Sequence, residues 1–81
     1  YHSIILLLQA LRESILAEAG VKGVRELSCY DTEDGIRMSL TVQLDRELGL
    51  GDMHERVDHL ELLIKARDER IGKVFIHAEP L

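Results

Sequence analysis

The sequence predicts an α+β fold, an open-faced sandwich with two helices on one face of a three-stranded mixed sheet. Two segments have the apolar spacing of amphipathic helices, and three have the alternating or β-branched composition of strands. Their order along the chain is α-β-β-α-β. A crossover from the second strand through a helix makes the last strand parallel to its neighbour. The sheet is therefore mixed and the helices share one face.

The length of the chain limits what it does alone. At 81 residues it is one small domain with a marginal core, so we expect a homodimer. The apolar run from Ile4 to Leu8 is interrupted by polar residues well before the roughly 20 residues that a membrane span needs. The chain begins with Tyr1 rather than Met, so we expect it to be a piece of a longer protein.

The first helix is predicted from apolar residues that recur every three or four positions, namely Ile4, Leu8, Leu11 and Ile15. Gly20 is expected to close this helix. Ile5 and Leu6 lie away from the main apolar stripe. We therefore expect the first turns to contact a partner subunit or an upstream domain in addition to the sheet.

The next two segments read as a hairpin. Val24 to Tyr30 is the first strand, with Leu27 and Cys29 on one face. An acidic turn follows and ends in Asp34-Gly35, a pair that supplies the positive φ a reversal commonly needs. The second strand alternates strictly, and its core-facing residues are Ile36, Met38, Leu40, Val42 and Leu44. Its other face is polar, so this strand is half-buried.

The second helix and the last strand complete the fold. The helix stripe consists of Leu50, Met53, Val57, Leu60 and Ile64. Either Gly49 or Asp52 caps its start, and it frays after Arg67. Residues 72–80 are rich in β-branched and aromatic side chains, and they form a strand that ends at Pro80.

Charge and composition exclude several classes of function. The net charge is -5, with ten basic residues scattered among fifteen acids, so we expect cations and no nucleic acid as partners. Cys29 is the single cysteine, which rules out an internal disulfide and favours a reducing compartment; we expect it to pack in the core. No combination of nucleophile, base and orienting residue is visible, so the sequence does not indicate an enzyme.

Two pairs of side chains are candidates for metal binding. His77 and Glu79 are two apart on a strand, so they share a face with their Cα atoms roughly 6.6 Å apart. His54 and Asp58 are four apart on the second helix and lie one turn apart on the same side. Imidazole and carboxylate together suit zinc, and also manganese or ferrous iron.

Simple lengths place the two pairs at the same end of the domain. The helix rises roughly 24 Å after His54, and the last strand returns by roughly 23 Å. Alternation nevertheless puts His77 and Glu79 on the open face of the sheet while His54 lies on a helix. A shared site must therefore wrap the sheet edge or take ligands from both chains of a dimer. The alternatives are a surface role for His54, an ion-pair role for Asp58 and a solvated or interface role for His59.

The order and spacing of these residues resemble those of the cytoplasmic C-terminal domain of cation diffusion facilitator (CDF) transporters. The pieces that carry the resemblance are Gly23-Val24-Arg25-Glu26-Leu27, the alternating strand from Ile36, Leu48-Gly49-Leu50, Met53-His54, Asp58 and Ile76-His77-Ala78-Glu79-Pro80. The resemblance implies a ferredoxin-like fold and a single dimerisation and regulatory domain over residues 1–81. It also implies a cytoplasmic position and an upstream transmembrane domain in the same chain.

The resemblance also implies divalent metal at the dimer interface. Its ligand positions fall on His54, His77 and Glu79, where Glu79 replaces the aspartate often found in the family; the spacing of the second helix adds Asp58. Zinc is the expected ion, with iron or manganese as alternatives. A further histidine of zinc-transporting bacterial members falls on Arg25. This departure implies weaker binding, a single ion or altered selectivity.

A second class of function stays open at this point. A ferredoxin-like dimeric module that mediates an interaction or senses a small molecule has the same fold and needs no metal. A copper chaperone on this architecture is disfavoured because it needs paired thiols and Cys29 is alone.

Overall fold

The computed structural model describes the backbone of residues 2–81 and the side chains of residues 4–81. The elements follow in the order α1 (His2–Leu16), β1 (Val21–Thr32), β2 (Gly35–Leu44), α2 (Leu50–Arg67) and β3 (Ile71–Pro80). The predicted α+β class and the α-β-β-α-β order are confirmed. In the described part of the chain, no helix has the length and apolar character that spanning a membrane requires.

The sheet has the spatial order β1-β2-β3. β1 runs antiparallel to β2 and β3 runs parallel to it, so the sheet is mixed as predicted. β2 is the central strand, and β1 and β3 each have one edge that pairs with no other strand in the described part of the chain. Because α2 makes the crossover between two parallel strands, it lies over the β3 side, and α1 lies over β1.

The core lies between the sheet and the helices. The alternate apolar residues of β2 are all buried there, in agreement with the sequence pattern. Leu11 and Ile15 of α1 and Leu60 and Ile64 of α2 are fully buried against them. Each such side chain contributes about 1.5–3 kcal/mol through burial. Within residues 2–81, no helix covers the opposite face of the sheet, which carries the polar side chains of the strands.

Element boundaries differ from the prediction at a few places. α1 ends at Leu16, four residues before Gly20, whose φ of 84° reverses the chain into β1. β1 is longer than predicted at both ends. The cap of α2 is Gly49, without a side-chain hydrogen bond, so Asp52 lies in the first turn of the helix and does not cap it.

A β-bulge interrupts β1. Arg25 pairs with Thr41, but the next pair is Ser28 with Ser39, so β1 contains one extra residue here. Glu26 lies in the bulge with a φ of 55°, in the left-handed region that few side chains adopt. Beyond the bulge the alternation of β1 changes phase, which decides which of its side chains reach the open face.

Asp68 shapes the turn between α2 and β3. Its Oδ1 accepts hydrogen bonds from the backbone N–H of Arg70 at 2.9 Å and from Nε of Arg70 at 3.0 Å, and its Oδ2 accepts one from Nη2 at 2.7 Å. The hydrogen bonds from the Arg70 side chain, helped by the backbone one, lower the pKa of Asp68 to about 2. The turn is therefore more stable when Asp68 is ionised than when it is protonated.

We expect Asp68→Asn to weaken the dependence of stability on pH. The pKa of Asp68 is lowered by folding, so its contribution is complete above about pH 4 and is lost as the pH falls through about 2. An amide keeps an acceptor for the Arg70 N–H but does not titrate. Urea unfolding at pH 5, 3 and 2 should show a smaller loss of stability in the variant than in the parent. The same loss in both proteins would contradict this role.

Candidate metal centre

The open face of the sheet brings the candidate strand residues together. Arg25, Thr41 and His77 lie side by side across β1, β2 and β3. In the next row, Gln43 pairs with Glu79. His77 and Glu79 therefore lie in adjacent rows on one face, at the end where β3 finishes. The His77 side chain is exposed and the Glu79 side chain is half-buried.

Two neighbours hold the Glu79 carboxylate. Its Oε1 accepts a hydrogen bond from Nη1 of Arg25 at 3.0 Å and another from Nε2 of Gln43 at 3.3 Å. Gly23 makes room for the Gln43 amide, because a Cβ at position 23 would collide with its Oε1. Both donors act on Oε1, and Oε2 has no hydrogen-bond partner among the side chains of residues 4–81.

His54 lies at the same level but on the other side of β3. It is exposed on α2 and borders a groove of about 230 Å³ whose other lining residues are apolar: Leu50, Met53, Val57, Ile76 and Ala78. Ile76 and Ala78 are the residues that flank His77 along the strand. His54 therefore lies level with the end of β3, as the lengths of the helix and the strand predicted. As expected from alternation, however, the edge of β3 separates His54 from His77 and Glu79.

Asp58 is exposed one turn after His54. Among the described side chains it has no ion-pair partner, and nearby Lys65 pairs instead with Glu61 at 3.0 Å. The ion-pair role considered for Asp58 has no partner in this part of the structure. Its place beside His54 on the helix agrees with the predicted spacing.

One chain offers an incomplete set of ligands. Within residues 4–81, no three His, Cys, Asp or Glu side chains come close enough to hold a metal ion together. The sheet brings His77 and Glu79 to one face, and it does not bring His54 and Asp58 to them. Zinc takes four ligands in structural sites and at least three protein ligands in catalytic ones. The imidazole and carboxylate of one chain suit a divalent ion chemically but fill only part of its coordination shell.

The remaining histidine and the cysteine have other surroundings. Nε2 of His59 lies 2.7 Å from Oε1 of Glu18 and links α2 to the segment after α1. Cys29 is a free thiol that packs against the core, as expected. Burial raises the pKa of the Cys29 thiol, and the carboxylate of Asp31 raises it further. This disfavours the thiolate that metals prefer. The side chain of His2 lies outside the described residues.

The sequence did not reveal the contact between Arg25 and Glu79. Strict alternation along β1 groups Arg25 with Leu27 and Cys29, on the helix side. The bulge at Glu26 separates them and leaves Arg25 on the open face. The only sequence signal was the presence of arginine where the resembling family has histidine, and that signal does not specify a partner.

Two exposed aromatic side chains lie on the open face. Tyr30 is 58% exposed and Phe75 is 52% exposed. The guanidinium of Arg37 lies 5.6 Å from the centroid of the Phe75 ring, within the range of a cation–π contact. A shallow depression of about 570 Å³ is lined by Tyr30, Phe75 and His77 and extends around the edge of β3 to Val57 and Glu61 of α2. This face combines apolar and titratable side chains, and no helix or strand among residues 2–81 covers it.

Comparison with known proteins places the chain among cation efflux proteins. The family described as "Cation efflux protein, cytoplasmic domain" matches residues 6–81. Three similar solved structures are variants of MamM CTD. The first is 20% identical with a TM-score of 0.87, covering 98% of this chain and 99% of that chain. The second is 17% identical with a TM-score of 0.88, covering 100% and 99%.

The third MamM CTD structure is a copper form of another variant, 19% identical with a TM-score of 0.85, covering 96% of this chain and 98% of that chain. At these identities the likeness concerns the fold, and it confirms the predicted ferredoxin-like arrangement. The comparison with curated protein sequences found no match.

We expect Gly23→Ala to disturb Glu79 without unfolding the domain. The new Cβ displaces the Gln43 amide, which weakens its hydrogen bond to Glu79. Because the displaced atom ends a flexible side chain, the free energy of unfolding should change by less than about 1 kcal/mol. The side-chain amide resonances of Gln43 should move in NMR spectra.

Gly51→Ala is the matched control, since a Cβ there meets nothing within 4 Å. It lies in α2 and should raise stability through helix propensity while leaving the Gln43 resonances in place. Unmoved Gln43 resonances in Gly23→Ala would show that position 23 does not control this amide.

Proposed function

The chain belongs to the family of cytoplasmic domains of cation efflux proteins, and on this basis we propose that it is the metal-sensing dimerisation domain of a divalent-cation CDF transporter. Residues 1–81 form this domain, and two copies associate below a transmembrane domain that precedes each in the same polypeptide. Divalent metal binds between the two copies and stabilises a closed dimer, which regulates transport.

The observation that carries this proposal is the pair of donors on the open face. His77 and Glu79 lie in adjacent rows on one strand, and residues 4–81 of the same chain add no third ligand beside them. In a dimer with a two-fold axis the same patch of both chains meets at the axis. Two copies then supply two imidazoles and two carboxylates, which is the number of ligands that zinc prefers. Metal binding and dimer geometry are thereby coupled.

His54 and Asp58 complete the proposed ligand set. His54 lies on the helix side of the β3 edge, beside Ile76 and Ala78, and Asp58 follows it one turn later on α2. Ligation by these residues requires the site to extend around the edge of β3, or requires the partner chain to approach that edge. Zinc is the ion we propose, with iron or manganese as alternatives, because imidazole and carboxylate bind all three.

The proposed mechanism is a shift between dimer orientations. An ion held by both chains binds one relative orientation better than the others and so increases its population. The domain contributes exposed apolar surface for association in addition to the metal. Ile5, Leu6, Tyr30 and Phe75 are each more than 40% exposed and are available for contact with a second copy.

A second candidate uses the same face without metal. The depression beside Tyr30 and Phe75 accommodates a small amphipathic ligand, as in a dimeric sensing module. It is shallow, however, and both aromatic rings are half exposed, whereas small-molecule sites generally bury most of their ligand. The metal titration below separates the two candidates.

We expect the parent protein to bind zinc through His77 and Glu79. In calorimetric titrations His77→Ala should remove most of the affinity, and Glu79→Gln should weaken it by removing a negative charge. Affinity should fall as the solution is made more acidic, because protons compete for the imidazole nitrogens. His59→Ala is the control, since His59 contacts Glu18 on the helix layer and should change little. Unaltered zinc binding by His77→Ala would show that the site lies elsewhere.

A further inference from the structure

We propose that Arg25 is an internal counter-cation of the metal site: its guanidinium holds the Glu79 carboxylate and competes with divalent metal for it. The charge at position 25 then sets the metal concentration at which the domain responds. This inference rests on the proposed function, because it concerns the same ligands. Arg25 itself binds no metal in this proposal and acts only through the ligand Glu79.

Because of the bulge in β1, Arg25 lies on the open face of the sheet. Val24 is buried beside Val42 and faces the helices, so Arg25 faces the other way, next to Thr41. After the bulge, Ser28 returns to the same face as Arg25. The side chain of Arg25 then crosses over β2 to reach Glu79 on β3, an interaction that joins both edge strands of the sheet.

The guanidinium lies between two carboxylates. Nη1 contacts Oε1 of Glu79 at 3.0 Å, and Nη2 lies 3.6 Å from Oε1 of Glu26. The Arg25 side chain is 55% exposed and the Glu79 side chain 32% exposed. The Glu26 side chain is more exposed than that of Glu79, and its contact with the guanidinium is longer and weaker. Gln43 adds a neutral donor to the same Glu79 oxygen.

A metal ion that approaches Glu79 meets a positive charge already bound to it. The ion either displaces the guanidinium from Oε1 or binds Oε2 within a few ångströms of that charge. Both routes lower its affinity relative to an unpaired carboxylate. Because the ion pair is partly exposed to solvent, we expect a moderate effect, about three- to tenfold.

The same contact affects the metal-free state. When two copies meet at the open face, their Glu79 carboxylates repel each other unless a cation lies between them. The Arg25 guanidinium neutralises this charge within each chain. The repulsion that would open the metal-free dimer is therefore smaller. Arg25 therefore raises the metal concentration at which the dimer responds. It also reduces the difference in orientation between the metal-free and the metal-bound dimer.

The test compares zinc binding by the parent and by Arg25→Gln in calorimetric titrations. Glutamine retains a hydrogen-bond donor but removes the charge. We expect Arg25→Gln to bind zinc about three- to tenfold more tightly than the parent. Circular dichroism and urea unfolding confirm that both proteins are folded to the same extent.

Arg37→Gln is the matched control. It removes the same charge from the same face of the sheet, where Arg37 pairs across the strands with Tyr30 and Lys73. The Arg37 guanidinium lies over the Phe75 ring, and four residue steps along β3 separate Phe75 from Glu79, a distance of roughly 13 Å. This exceeds the Debye length of about 8 Å at physiological ionic strength. Arg37→Gln should therefore bind zinc as the parent does.

A double-mutant cycle identifies the partner of Arg25. In a Glu79→Gln background the substitution Arg25→Gln should change zinc affinity little, since the carboxylate for which Arg25 and zinc compete is gone. A gain of the same size in both backgrounds would mean that Arg25 acts through the overall charge, and it would overturn the proposal.

The remaining outcomes separate this inference from the proposed function. Equal zinc affinity of the parent and Arg25→Gln, together with loss of binding in His77→Ala, overturns the role of Arg25 and leaves the site intact. Absence of zinc binding in both the parent and Arg25→Gln overturns both proposals. Binding by Arg25→Gln alone supports the inference in its strongest form, in which Arg25 blocks the site.

Discussion

The parallel pairing of β3 with the central strand β2 is the constraint on which the candidate site depends. It sets Thr41 beside His77 and Gln43 beside Glu79. A slip of one residue would turn His77 and Glu79 towards the helices and expose Ile76 and its apolar neighbours on the open face. Burying an unpaired carboxylate is costly, so the hydrophobic pattern and the charges favour the same register. The position of the candidate ligands therefore follows from the packing of the core.

Much of this arrangement was predictable because it depends on side-chain periodicity. The alternation of β2 predicted which of its residues are buried, and the crossover predicted a parallel β3. Helix rise and strand length placed His54 level with the end of β3, where it borders the groove beside Ile76. These predictions succeeded because each uses a repeat that the backbone geometry fixes. Metal ligation by His54, Asp58, His77 and Glu79 stays a prediction.

The features that escaped prediction depend on single residues rather than on repeats. The bulge places Glu26 at positive φ, and a glutamate side chain gives no sequence signal for this conformation. Because the bulge changes the phase of β1, it also hid the contact of Arg25 with Glu79. The cap of α2 was ambiguous between Gly49 and Asp52, since both residue types are common at that position. The contact of His59 with Glu18 depends on how the two helices approach each other.

On the proposed function, an incomplete ligand set and an internal cation together adapt the domain to respond to metal. Each chain offers two donors on a face that no element within residues 2–81 covers, and we propose that an ion gains its full coordination between two copies. Arg25 partly satisfies the same carboxylate in the absence of metal. Under this account the dimer exists without metal, and the ion narrows the range of its orientations.

Distances between spin labels on the two copies test this account most directly. A label at the exposed position of Glu69, in a Cys29→Ser background, reports the relative orientation of the chains by pulsed electron resonance. We predict a broad distance distribution without metal that becomes narrower or shorter with saturating zinc, and no such change in the same labelled protein carrying His77→Ala. A distribution that zinc leaves unchanged, or that zinc narrows equally in the His77→Ala protein, would contradict the account.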